Sequence, residues 1–332
     1  MKKVLILGAA GFLGQHMEYR LKERGDFVVS IVRSYPKYRK SVADETNVLD
    51  LTNPPDFHHH FFRHHFDEIY QLAAEVGGQG YIGTGIHDAD ILTNSLKINL
   101  HTLDAIRKTQ AADRIFFASS ECVYPAKFEV DPFANEREAP EPGLYREHEA
   151  DFDNNYAFGK EKLYAEALYQ AYAIRYGITA RIGRLSNTYG PYCTWDGDRA
   201  KSVAAICRKV ADAPYAGVVD IWGDATQKRS FTYVDDAVEG ILRVMNGNLT
   251  GPVNIAHSQL YTIKDLFETV CKVAGKVLGF KSVDGPIGPT VRGSHNGLLR
   301  AAYQWEPAIS LEEGLAKTYP WIAEQVLTKS VA

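Results

Sequence analysis

The amino-acid sequence predicts an α/β protein with a doubly wound parallel sheet and a smaller mixed C-terminal lobe. Two patterns carry this. Apolar runs alternate with helix-period segments through the first half of the chain, and from about Leu185 that rhythm gives way to turn-rich segments and shorter helices. The strand-like runs are residues 4–7, 27–32, 68–72, 114–118 and 179–184, and the helical stretches are 12–24, 91–109 and 156–176. Strands separated by helices imply parallel pairing with both sheet faces covered. The second half offers turns such as Asn187-Thr188-Tyr189-Gly190-Pro191 and Trp222-Gly223-Asp224. Residues 1–185, joined by about 231–256, are read as one domain, and 186–230 with 257–332 as the other. No repeat or low-complexity linker separates them, so a continuous interface between the lobes is expected.

Composition narrows the function classes. A net charge of -4 with 23% charged and 45% hydrophobic residues supplies no general field for nucleic acid or an anionic membrane, so an anionic ligand has to be held locally. No stretch approaches the roughly 18 apolar residues of a membrane span. The N-terminal Val4-Leu5-Ile6-Leu7 runs directly into Gly8, Gly11 and Gly14 and reads as a buried strand before a glycine turn, not as a cleaved leader. Cys122, Cys193, Cys207 and Cys271 lack zinc-type spacing, and free thiols in a cytoplasmic, reducing compartment are expected. The run His58-His59-His60 with His64 and His65 is interleaved with Phe61, Phe62 and Phe66, which reads as an amphipathic surface helix and not a metal site.

Gly8-Ala9-Ala10-Gly11-Phe12-Leu13-Gly14 follows the first strand and opens the first helix. Glycines there allow a tight turn and let the backbone and helix N-terminus approach a pyrophosphate, as in a Rossmann-type dinucleotide site. Gly8, Gly11, Phe12, Leu13 and Gly14 are therefore candidate cofactor residues. After the second strand an acidic residue would hold the ribose hydroxyls of NAD, but the chain has Ile31-Val32-Arg33. Arg33 either pairs with the extra phosphate of NADP or is a solvated loop arginine, and Asp50 can still face the adenine. NAD is expected, with NADP left open.

Tyr156 and Lys160 stand four residues apart on one helix face. A neighbouring ammonium favours the phenolate, as a base working near neutrality requires. About 35 residues upstream lies Ala118-Ser119-Ser120-Glu121-Cys122-Val123-Tyr124-Pro125, after a strong strand. Taken together, these motifs resemble the extended short-chain dehydrogenase/reductase family (the NAD-dependent epimerases and dehydratases) over nearly the whole chain. The resemblance implies that Ser120 bonds the reacting hydroxyl, Tyr156 is the acid/base and Lys160 binds the nicotinamide ribose. It also sets Leu72, Ala73 and Asn99 near the cofactor.

Position 122 is informative. Related 4,6-dehydratases carry glutamate there, whereas this chain has Cys122, which is either a small buried hydrophobe or a thiol able to remove and return a carbon-bound proton. The segments around Glu75-Val76-Gly77-Gly78-Gln79-Gly80, Cys122, Tyr189-Gly190-Pro191-Tyr192-Cys193 and Gln227-Lys228-Arg229 are similar to the GDP-mannose 3,5-epimerase group. That resemblance implies Cys122 as base and Lys201 as opposing acid in a redox-assisted inversion of carbons 3 and 5, with products of the GDP-L-galactose and GDP-L-gulose kind. It further implies a GDP-sugar held by Gly78, Glu121, Asn187, Lys201, Trp222, Gln227, Arg229, Arg292 and Ser294, and a homodimer. Arg229 and Arg292 suit a diphosphate, or a structural ion pair. The chain departs from the group at Ala200, at Val32-Arg33 and through 125–154, including Tyr145-Arg146-Glu147-His148, which leaves a modified GDP-sugar open. A 4-epimerase, a 4,6-dehydratase and a non-catalytic dinucleotide sensor are the competing readings on this fold.

Overall fold

The structure is a computed structural model, and it describes residues 1–53, 64–124 and 157–331. Within these, the chain runs β1 (Lys3–Leu7), α1 (Phe12–Glu23), β2 (Phe27–Val32), β3 (Glu45–Val48), β4 (Phe66–Gln71), α2 (Gln79–Ile82), α3 (Asp88–Thr109), β5 (Ala112–Ser120), a 3-10 turn (Glu121–Val123), α4 (Ala157–Tyr176), β6 (Thr179–Leu185) and β7 (Asn187–Tyr189). It continues α5 (Ser202–Asp212), β8 (Ala216–Trp222), β9 (Lys228–Tyr233), α6 (Val234–Asn246), β10 (Pro252–Ile255), β11 (Leu260–Thr262), α7 (Ile263–Ala274), β12 (Val277–Val283), β13 (Val291–Arg292), α8 (Gly297–Tyr303) and α9 (Leu311–Val331).

Seven strands form a parallel sheet in the order β10-β6-β5-β4-β1-β2-β3. Alternate residues of each strand feed different apolar layers. Val4 and Ile6 of β1 join Val28, Tyr70 and Phe116 on one face, while Leu5 and Leu7 join Val29, Ile69 and Phe117 on the other. Both layers are buried, which is why these strands read as unbroken apolar runs. The strand order reverses between β1 and β4, the place where such sheets open a ligand crevice at the carboxyl ends of their strands.

The C-terminal half contributes a small mixed sheet in which β9 pairs with β7, β11 and β13, and a separate parallel pair, β8 with β12. Helices α5, α7 and α9 pack on one another beside them. Among the described residues no helix is long and apolar enough to cross a membrane.

The doubly wound sheet and mixed lobe agree with the sequence expectation, and the differences have local causes. The edge strands β3 and β10 escape an apolar-run criterion because one is polar and half-exposed and the other is four residues beginning with proline. Helix α3 starts three residues before 91, with Asp88 and Asp90 in its first turn, where carboxylates complement the helix dipole. Of the histidine-phenylalanine run, 58–63 lie outside the described residues. Phe66 is not on a surface helix: it is the buried first residue of β4, and His65 lies outside the core against Asp113 at 2.8 Å.

A buried polar network braces the carboxyl end of β5. Arg184 of β6 forks onto Glu166 of α4, with Nε to Oε1 at 2.9 Å and Nη2 to Oε2 at 2.6 Å. Ser119 donates to the same carboxylate, and the Tyr124 hydroxyl donates to Asn254 of β10 at 2.8 Å. Removing one partner of a buried pair leaves the other charge uncompensated, so Glu166→Gln should lower stability by about 3–5 kcal/mol in urea unfolding. A loss below about 1 kcal/mol would show that water compensates Arg184.

Candidate active site

The glycine turn is shaped for a dinucleotide. Gly8 takes φ +86°, and a Cβ there would stand 2.8 Å from backbone atoms of Ala73. Its amide donates to Ile31 O at 3.0 Å, and Leu72 N donates to Leu7 O at 3.0 Å, so Leu72 and Ala73 line the crevice at the β1/β4 reversal. Gly14 lets α1 lie against the turn, since a Cβ would come within 2.3 Å of Gly8 O. Gly11 is the N-cap of α1 and makes no side-chain cap, which leaves the first-turn amides at Phe12 and Leu13 without a side-chain acceptor from that residue. After β3, Asp50 accepts from the Thr52 amide at 2.9 Å and hydroxyl at 2.7 Å. These bonds hold its carboxyl below the usual carboxylate range, with a smaller contribution from the exposed Arg33. A pyrophosphate on the α1 N-terminus, with Asp50 or Arg33 towards the ribose, fits this cradle.

Ser120, Glu121 and Cys122 stand where β5 ends. Ser120 caps the 3-10 turn by accepting from Cys122 N at 3.2 Å. Glu121 and Cys122 are buried, and Glu121 Oε1 accepts from Asn187 Nδ2 at 2.9 Å. Arg292 of β13 donates from Nη1 to Cys122 Sγ at 3.1 Å. Helix α4 presses directly on this turn, because a Cβ on Gly159 would meet Cys122 O at 2.2 Å. Lys160 follows on α4, and Tyr156 lies outside the described residues, as does 145–148.

Lys201, the N-cap of α5, brings the facing wall. Its segment is clamped to the loop after β4. Gly78 N donates to Arg199 O at 2.9 Å, and a Cβ on Gly78 would meet Ala200 O at 2.1 Å. Arg199 pairs with Glu75 and stacks over Tyr81 at 4.0 Å, while Tyr81 donates to Glu75 at 2.9 Å. Burial alone would raise the Glu75 pKa, but the bonds from Arg199 and Tyr81 outweigh it and hold the carboxyl below its ordinary range. Counted over the whole residue Lys201 is exposed, although protein is dense around its ammonium. Lost hydration depresses its pKa, and Cys122, Glu121 and Cys193 act in the opposite sense.

The remaining predicted residues separate by environment. Arg292 sits on the Cys122 sulfur, whereas its cross-strand neighbour Arg229 donates to the carbonyls of Ile287 (3.4 Å) and Pro289 (2.6 Å). Gln227 donates to Asp224 Oδ1 at 3.0 Å, and the half-exposed Trp222 packs on Gly285 and Gly80. The Ser294 hydroxyl is buried without a hydrogen-bond partner among the described residues, which suits an acceptor arriving with a ligand. Asn99 is internal, its amide shared among Gln71, Glu161 and Tyr169. A cavity of about 350 Å³ between α1 and α6, lined by His16, Arg39 and Asp235 among others, shares no residue with these walls. Sequence reasoning missed the Glu75-Tyr81-Arg199 clamp and Gly159. Their signals were present inside the matched segments, but a clamp between residues over 100 positions apart has no local pattern.

Comparison with known proteins shows the family of the chain. The model of the NAD dependent epimerase/dehydratase family matches residues 4–256. GDP-mannose 3,5-epimerase of Arabidopsis thaliana is 33% identical over 326 residues, covering 98% of this chain and 83% of that protein. UDP-glucuronic acid decarboxylase 3 of the same plant is 30% identical over 322 residues, covering 94% and 86%. Among solved structures, UDP-glucose 4-epimerase from Thermotoga maritima shares the fold, with a TM-score of 0.81 at 23% identity over 99% of this chain and 100% of that one. The chain belongs to the NAD dependent epimerase/dehydratase family and is a nucleotide-sugar enzyme of that family.

Gly8→Val introduces both a disfavoured backbone conformation and a clash with Ala73. A strain of a few kcal/mol should weaken NAD binding by about tenfold or more, read by quenching of protein fluorescence. Unchanged affinity would place the dinucleotide elsewhere.

Proposed function

We propose that this enzyme inverts carbons 3 and 5 of a GDP-mannose-type sugar through a transient 4-keto form, giving products of the GDP-L-galactose and GDP-L-gulose kind. One observation carries the reading. The Lys201 amine lies within the electrostatic field of the Cys122 thiol, and a guanidinium is bonded to the sulfur. A 4-epimerase needs neither group, and a dehydratase needs a carboxylate where Cys122 stands.

Bound NAD supplies the hydride acceptor and donor, so the sugar passes through a ketone with no net oxidation. Tyr156 takes the proton from the carbon 4 hydroxyl, with Ser120 bonding the same oxygen and Lys160 favouring the phenolate. The ketone makes the C–H bonds at carbons 3 and 5 acidic. Cys122 Sγ removes each proton from one face, and Lys201 Nζ delivers one to the other. A single base would return each proton to the face it left, so two opposed groups are the minimum for inversion. The Arg292 bond to sulfur orients the side chain that acts as base. Ser294, with its buried hydroxyl, and the cation Arg229 are the groups assigned to the diphosphate end.

Incubation with GDP-mannose in deuterium oxide, followed by NMR, should put deuterium on carbons 3 and 5 with no loss of water from the sugar. Label at neither carbon, with cofactor bound, would overturn the reading. Cys122→Ser should slow exchange at both carbons by about 10²–10⁴-fold while cofactor affinity is retained. Exchange at the wild-type rate would remove the thiol from the mechanism. The acid Lys201 must be charged to act, and desolvation lowers its pKa. Turnover should therefore decline with rising pH before the ordinary lysine range is reached, and Lys201→Met, which removes the acid, should stop inversion at both carbons. A wild-type rate that keeps rising through the ordinary lysine range would contradict the assignment.

A further inference from the structure

The inversion chemistry proposed above, on which this inference rests, holds a sugar by its diphosphate while a thiol reaches two of its carbons. The thiol turn stands at the end of β5 in the large sheet, and Ser294, assigned to the diphosphate, follows β13 of the small one. Their register is therefore part of the catalyst. Arg292 joins the two through the Cys122 sulfur, and a second side chain also spans them. Asn254 of β10 is fully buried. Its Oδ1 accepts from the Tyr124 hydroxyl at 2.8 Å, and its Nδ2 donates to the His295 carbonyl at 3.1 Å. Tyr124 is the C-cap of the thiol turn, with its amide donating to Glu121 O at 3.2 Å, and His295 directly follows Ser294.

We propose that Asn254 is a positioning residue that sets the thiol turn in register with the diphosphate-holding segment, and so decides which ring carbons Cys122 meets. A carboxamide suits the task. It presents one acceptor and one donor edge on a rigid plane, and a backbone carbonyl only accepts, so the group seats in one orientation. Each wall also has an anchor of its own. The Tyr124 hydroxyl accepts from Arg184 Nη1 at 3.3 Å, and Asn296 accepts from Ala256 N at 3.1 Å and donates to Ala256 O. Breaking the Asn254 bridge therefore leaves both walls attached to the protein and loosens only their mutual position. Asn254 acts through Tyr124 and His295, not on the sugar.

The test measures deuterium uptake at carbons 3 and 5 of saturating GDP-mannose in deuterium oxide with NAD, alongside the affinities for GDP and NAD. Asn254→Leu removes both bonds of the bridge, and Tyr124→Phe removes one. Each should slow uptake by about 10–10²-fold, the scale of a misplacement of up to about 1 Å, while GDP and NAD affinities change by less than about threefold. A chain cut twice is no looser than a chain cut once, so the two substitutions together should cost no more than either alone. Bonds that each support the fold separately would instead multiply their losses. The double variant replaces both partners by apolar groups, the least costly way to remove a buried bond, and serves where a single variant folds poorly. Uptake at the wild-type rate in any of these variants, multiplied losses in the double variant, or GDP affinity falling in step with uptake overturns the bridge. No uptake by the wild type removes the inversion reading itself, and the role of the bridge with it.

Discussion

Two backbone contacts set the width of the cleft. The Cα of Gly159 lies against the Cys122 carbonyl, and the Cα of Gly78 lies against the Ala200 carbonyl, each too close for a side chain. The first fixes the 3-10 turn at the end of β5 onto α4, and the second fixes the N-terminus of α5 onto the loop after β4. Chemistry that needs a base and an acid on opposite sides of one ring tolerates little error in either position, because misplacement by about 1 Å can cost 10²-fold in rate. Rigid contacts of main chain on main chain are suited to that demand. Contacts between long side chains are not.

The polar groups behind these contacts act in the same direction. Arg184 and Glu166, fully buried, hold β5, β6 and α4 in register beneath the turn. Glu75, Tyr81 and Arg199 tie the Lys201 segment to the large sheet. Arg292 joins the walls chemically as well as sterically, since it rises from the small sheet to bond a sulfur carried by the large one. Its position at the thiol separates it in role from Arg229, its neighbour across the ladder, which holds the 287–289 loop by two carbonyls.

Much of the fold was legible because buried parallel strands have to be apolar on both faces. Val4-Leu5-Ile6-Leu7 and Phe116-Phe117 feed both core layers and could be recognised without knowledge of their partners. The glycine turn was legible for a similar reason, since its geometry is local to seven residues. The polar edge β3 and the short β10 were not, because their strand character comes from the neighbour they pair with. At the site, Ser120, Cys122, Lys201 and Asn187 could be named from matched segments. That Arg292 would lie at the thiol could not, because 170 residues separate the pair and Arg292 owes its place to the β13–β9 ladder.

The central claim is geometric: sulfur and amine face each other across one hexose. A crystal structure of Cys122→Ser with NAD and GDP-mannose tests it most directly. The account predicts the side-chain oxygen at position 122 and Lys201 Nζ on opposite faces of the ring, each within about 3.5 Å of carbon 3 or carbon 5. Both groups on one face, or a hexose bound away from them, would contradict it.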